Sequence, residues 1–153
     1  MKVLPTEQRH LMPMARLLCR ETLADIRAVT EAHASTYLAT RLDRSQRAYT
    51  VWEGNHRPSM ILGVQQTGEP DLGHLWLASS ALKGMPQVGL KMRLLYGLYG
   101  LYDLHPRLRC IVPVANKRHA RWLGLCSFSE VGRRQAEKRG ELIIFEGSRQ
   151  VAG

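Results

Sequence analysis

The stretch that decides the fold runs from residue 72 to residue 114. It opens with Leu72-Gly73-His74-Leu75-Trp76-Leu77-Ala78, continues as PQVGLKMRLLYGLYGLYDL over 86–104, and closes with Leu108-Arg109-Cys110-Ile111-Val112-Pro113-Val114. The first and last pieces are short apolar runs between turn residues, the pattern of buried strands. The middle piece is too long for a strand and spaces its leucines as a helix does. Strand, helix, strand in that order implies a parallel pair joined by a right-handed crossover.

Outward from this unit the elements alternate in type. Lys2–Leu4 reads as a strand stopped by Pro5, and Pro13 suits the first turn of a helix running to about Val29. A second helix is expected over Glu31–Arg41. Ala48–Trp52 and Met60–Val64 flank a Gly-Asn-rich turn as a hairpin, and Gly68-Glu69-Pro70-Asp71 turns into the strand at 72–78. Beyond residue 114, His119–Leu125 reads as a short helix, and Phe128–Gly132 and Leu142–Glu146 as the arms of a last hairpin. The order predicts an α+β fold: a mixed, mostly antiparallel twisted sheet flanked by helices on both faces, in one domain spanning 1–153. Within the crossover helix, Tyr96, Tyr99 and Tyr102 spread over roughly 120° of the surface. They are expected to wind round a core helix with their hydroxyls at the rim, while Gly97 and Gly100 let it approach the sheet closely.

The chain of 153 residues is 44% hydrophobic and 23% charged, enough to close a core without a disulfide or a metal. No run of about 18 apolar residues occurs, and the N-terminal MKVLPTEQRH lacks the apolar centre of a signal peptide. The expectation is a protein that is neither secreted nor membrane-spanning. Twenty-two Lys and Arg against 13 Asp and Glu leave a net charge of +9. Nine cations against two anions lie between His105 and Arg139, a block suited to polyanions. Within it, Arg118, Arg121, Arg133 and Arg134 are the candidate polyanion-binding residues. Cys19, Cys110 and Cys126 have neither disulfide nor zinc spacing, so no metal site is expected, and Cys19 and Cys110 read as buried hydrophobes.

This element order resembles that of the GNAT N-acetyltransferases, over nearly the whole chain. Val114-Ala115-Asn116, a short helix, and then Phe128 resemble the family's ending, with Ser127 where glycine is usual. The resemblance implies an acetyl-CoA site at the crossover, to which Ala78, Ser79, Leu82, Lys83, Gly84 and Asn116 would contribute. The chain departs from the family in two places. The pyrophosphate loop falls on Ser79–Gly89: counted from Lys83, Pro86 and Val88 stand at glycine positions, counted from Gly84, Gly89 fits but Gln87 replaces the first glycine, and Pro86 removes an amide donor. The position of the family's acidic tyrosine is Leu123. No Glu in Leu72–Ala78 serves as base, which leaves His74 as the candidate. Trp76-Leu77-Ala78-Ser79-Ser80 followed by Asn116-Lys117-Arg118-His119-Ala120-Arg121-Trp122-Leu123 is also similar to GNAT-like internal virion and assembly proteins of short-tailed bacteriophages, over roughly residues 74–128.

Framework without loop or tyrosine favours a catalytically degenerate domain: a structural or internal virion component without cofactor. On this reading it resides in the host cytoplasm and then the virion, with other virion proteins and DNA as partners of its basic C-terminal third. The alternative is an acetyl-CoA-dependent N-acetyltransferase with a divergent loop and His74 as base. A second alternative is a basic nucleic-acid-binding module.

Overall fold

The computed structural model describes residues 2–53, 57–80 and 87–149. Its strands are β1 (Lys2–Pro5), β2 (Arg47–Glu53), β3 (Arg57–Gln66), β4 (Leu72–Ser79), β5 (Arg107–Pro113), β6 (Ser129–Ala136) and β7 (Gly140–Ser148). The helices are α1 (Leu11–Leu17), α2 (Arg20–Val29), α3 (Ala34–Arg44), α4 (Gln87–Tyr102) and α5 (Lys117–Leu125). The sheet runs β1-β2-β3-β4-β5-β7-β6. Every neighbouring pair is antiparallel except β4 and β5, the parallel pair that α4 connects. Among the described residues, no helix is long and apolar enough to cross a membrane.

Strand β3 is buried without a break from Pro58 to Val64, which requires cover on both faces of the sheet. Met60, Leu62 and Val64 pack with Leu94, Leu98 and Leu101 of α4. Ile61 packs on the opposite face with Leu11 and Met14 of α1 and Leu38 of α3. The α+β sheet with helices on both faces is therefore present, and the crossover brackets its centre.

The single helix expected over Pro13–Val29 is two helices. Leu18 and Cys19 take extended dihedrals between α1 and α2. Leu18 bridges Ser80, and the Cys19 N–H donates to the Ser79 carbonyl at 2.9 Å. Hydrogen bonds to the end of β4 replace the helical ones there, so the break costs no buried donor. The next helix lies at Ala34–Arg44 instead of Glu31–Arg41, because Thr30 ends α2 and its hydroxyl accepts the Ala32 N–H in a turn.

On α4, Tyr102 is buried, whereas Tyr96 and Tyr99 are exposed, so the rim arrangement holds for only part of the set. The glycines do admit the close approach. A Cβ on Gly100 would stand 2.4 Å from the Tyr49 hydroxyl of β2, and one on Gly97 would stand 3.0 Å from Leu62. Helix α5 ends in a Schellman motif, with Phe128 N–H bonded to the Leu123 carbonyl and Ser127 N–H to that of Gly124. Ser127 sits at φ 67°, in the left-handed region that explains why glycine is expected at this position.

Two substitutions test this packing by urea denaturation. Ser127→Gly relieves the left-handed strain and is expected to stabilise the fold by about 1 kcal/mol. For Gly100→Ala, the gain in helix propensity of about 1 kcal/mol opposes an overpacking cost of about 1–3 kcal/mol. The rigid Tyr49 ring makes the cost win, so the variant is less stable. Gly124→Ala, with nothing near its Cβ, shows no such loss.

Candidate functional site

Strands β4 and β5 pair only at their start. The ladder joins Leu72, Gly73 and His74 to Arg107, Leu108 and Arg109 and then stops. Beyond it, β4 stays bonded to β3 as far as Ser79, and β5 stays bonded to β7 as far as Pro113. The facing edges of Leu75–Ala78 and Cys110–Pro113 are thus without a ladder partner on that side among the described residues. The far end of β4 is held by other elements, the α1–α2 junction and α5.

The holding point is Ser79, whose side chain is wholly buried. Its Oγ lies 2.7 Å from His119 Nε2, 3.3 Å from Cys19 Sγ and 3.4 Å from Thr22 Oγ1, and the Cys19 thiol donates to Thr22 at 3.2 Å. Asn116 caps α5 by accepting the His119 backbone N–H at 3.2 Å, and its Nδ2 lies 3.1 Å from His119 Nδ1. With Asn116 oriented by the cap, Nδ2 donates to Nδ1, so the ring proton sits on Nε2 and is donated to Ser79. Burial, aided by the charge of Arg118, pushes the His119 imidazole down to about 4, so the ring is neutral at pH 7.

A cleft of about 430 Å³ opens between the parted strands and helices α2 and α3. His74 of β4 stands in its wall. Burial and then the charges of Arg41, Arg139, Arg109 and Arg134 push this imidazole down to about 4 as well. The cleft also reaches Ala78, Asn116 and His119, so the strand gap and the α5 cap open onto one space. Asp25, the one carboxylate lining it among the described residues, is bound in a two-point pair to Arg139 at 2.7 and 2.9 Å.

The candidate residues read from the sequence fall out unevenly. His74, Ala78 and Asn116 come together along this cleft, with Ser79 directly behind it; Leu82, Lys83 and Gly84 lie outside the described residues. Leu123, the position of the family's tyrosine, is buried in the core, and His119 sits one turn before it on the same face of α5. The four polyanion candidates separate. Arg118 donates to the Ser80 carbonyl at 3.1 Å, Arg133 pairs with Glu130 and Glu141, Arg121 is exposed, and Arg134 lines the cleft. Arg107 and Arg109 are tied to Glu146, which further reduces the uncompensated charge of the basic block.

The cluster at Ser79 was not legible as a site, although the Asn116-to-His119 spacing carries a signal, since a cap residue and the third helical position face each other. All three cysteines are buried and none forms a disulfide among the described residues, and burial pushes Cys110 up to about 12, which keeps that thiol inert. No group of three metal-ligating side chains occurs among the described residues.

No family model matches the sequence, and no curated protein matches it. Solved structures do match the fold. Spermidine N-acetyltransferase from Vibrio cholerae, in complex with CoA and spermine, aligns with a TM-score of 0.68 at 13% identity, covering 99% of this chain and 96% of that one. AAC(6')-Ib in complex with ribostamycin and coenzyme A aligns at 0.67 and 16% identity, covering 98% and 94%. An acetyltransferase of the GNAT family from Streptococcus pneumoniae aligns at 0.64 and 14%, covering 96% and 98%. At these identities the likeness establishes the GNAT fold and leaves the activity to the site. The resemblance to bacteriophage virion proteins gains no support from these structures.

The neutral burial of His119 carries a pH signature. Its folded value of about 4 lies below the unfolded 6.5, so between those pH values the unfolded chain binds the extra proton. Stability therefore falls as pH drops from 6.5 to 4, by about 3 kcal/mol from this residue. Urea titrations across that range are expected to show a shallower acid loss in His119→Gln than in the parent. Parallel pH profiles would remove the buried neutral imidazole from the account.

Proposed function

We propose that this chain is an acetyl-CoA-dependent N-acetyltransferase. On this reading the coenzyme lies in the gap between β4 and β5, and the amine acceptor lies in the cleft beside it. The observation that carries the reading is the parting of the two central strands directly beside a cleft of small-molecule size. The unpaired edges of Leu75–Ala78 and Cys110–Pro113 fit an extended, amide-bearing arm, which can bond to backbone as a strand would. The fold neighbours, acetyltransferases among them with bound CoA, support the acyltransferase alternative over an inert scaffold.

When bound, acetyl-CoA would supply an acyl group already activated as a thioester. The chain's own residues do the rest. Backbone N–H groups on the inner edge of β4 stand ready to hold a polarised carbonyl oxygen without reorganising. His74 is the base candidate in the cleft wall, since Asp25 is committed to Arg139 and the His119 ring to Asn116 and Ser79; it takes the proton that the acceptor amine must lose. His119 is a positioning residue. It holds Ser79 and with it the end of β4, so the gap keeps its width. Leu75, Trp76 and Leu77 give the cleft an apolar flank that excludes water.

Calorimetry with acetyl-CoA and an assay of free thiol release test the reading together. Saturable binding is expected, with a stabilisation of about 2.7 kcal/mol at a hundredfold excess over Kd. His74→Gln should lower kcat by about 100-fold or more, with acetyl-CoA affinity changed only a few-fold. Absence of both heat and stabilisation at millimolar acetyl-CoA would return the chain to the scaffold reading.

A further inference from the structure

The wall of the cleft is basic in a way that an acceptor site for a free polyamine would not be. Arg41 and Arg44 come from α3, Arg134 from β6 and Arg139 from the turn before β7: among the described residues, four arginines against Asp25 as the one lining carboxylate. Arg109, opposite His74 in the β4–β5 register, adds a fifth guanidinium nearby and is tied to Glu146 at 3.2 Å. Asp25 is spent on Arg139, so its charge answers one arginine only. Arg41 lies over the Trp76 ring, 5.5 Å from its centroid, and donates to Gln65 Oε1 at 2.5 Å, but its Nε is buried with no partner among the described residues. Arg109 Nε is likewise buried without one. Arg44 and Arg134 have no ion-pair partner among the described residues. Thr22, Thr36, Tyr37 and Thr40 place hydroxyl-bearing side chains on the same lining.

Guanidinium groups converging from three elements on one small cleft, with donors left over, are the arrangement that recognises an oxyanion. We propose that the cleft takes a small primary amine that also carries a carboxylate or phosphate group, the oxyanion seated against Arg41, Arg134 and Arg139 and the amine directed to His74. This rests on the acyl-transfer reading and names its acceptor class. The two halves of the acceptor then serve each other. An oxyanion offsets the arginine field that, after burial, holds the His74 imidazole acidic, and so makes that ring a better base in the bound state than in the free one. The same field repels an amine that carries only positive charge.

The test uses the full chain labelled at histidine and follows the His74 ring by NMR in the absence of coenzyme. L-glutamate and O-phosphoethanolamine are the anionic probes, and ethanolamine and putrescine their matched counterparts without an oxyanion. A saturable shift of His74 with at least one anionic probe, and none with putrescine, is the expected result, and which probe binds tells carboxylate from phosphate. Arg134→Gln changes an exposed, unpaired side chain and should weaken anionic binding about tenfold, the size of one charge-assisted contact. Arg41→Gln should do the same or more, and Arg134→Gln keeps the test decisive if loss of the Trp76 contact unfolds the other variant. His74 unmoved by both anions at millimolar concentration, or putrescine binding as tightly as they do, overturns the proposal. Acetyl-CoA added to the same sample separates the two readings. Coenzyme binding without anion binding sinks the acceptor class alone, and anion binding without coenzyme binding sinks acyl transfer and leaves an oxyanion site.

Discussion

A sheet whose two central strands pair for three residues and then part leaves backbone donors and acceptors facing a gap, and the rest of this molecule is arranged around that gap. Unpaired backbone at the centre of a sheet is costly unless something pairs with it. Here the cost is localised. Each strand keeps its outer neighbour along its length, β3 for β4 and β7 for β5, so only the inner edges stay open. The end of β4 is then tied down by groups remote in sequence: the α1–α2 junction through Leu18 and Cys19, and α5 through His119.

That tie accounts for features that look unrelated along the chain. A helix that should run on from α1 breaks at Leu18, because the N–H of Cys19 is better used on Ser79. Burial keeps a histidine neutral, and its ring nitrogens are taken up by Asn116 and Ser79. The arginine-rich cleft opens where the parted strands face α2 and α3, which is why His74, the last residue of β4 paired to β5, is both sheet and cleft wall.

Local pattern made the architecture legible and long-range pairing hid the site. The crossover could be read because its helix is long and its flanking strands are apolar, and the glycines of α4 could be read as close-approach positions. The break at Leu18-Cys19 carries no glycine or proline, since its cause is a strand 60 residues away. Asn116 stood out in the sequence only through the family resemblance, its capping role appears in the structure, and His119 acquires its place from Ser79, 40 residues earlier. The basic block read as one surface because charge was counted along the chain. In the sheet, neighbours on a strand face opposite ways: Arg133 pairs with Glu130 and Glu141, and Arg134 lines the cleft. Much of the block is consumed by Glu146, Glu130 and Glu141, Asp25 takes two of the Arg139 donors, and the cleft arginines that face a ligand also include Arg41 and Arg44, from a part of the sequence where no charge excess drew notice.

The most direct measurement is amide hydrogen exchange at residues 75–78 and 110–112, with and without acetyl-CoA. The account predicts that in the free protein the inner-edge amides of these segments exchange faster than those bonded to β3 and β7. It further predicts that acetyl-CoA slows the inner-edge amides selectively. Inner-edge amides already protected in the free chain, or left unchanged by saturating coenzyme, would contradict it.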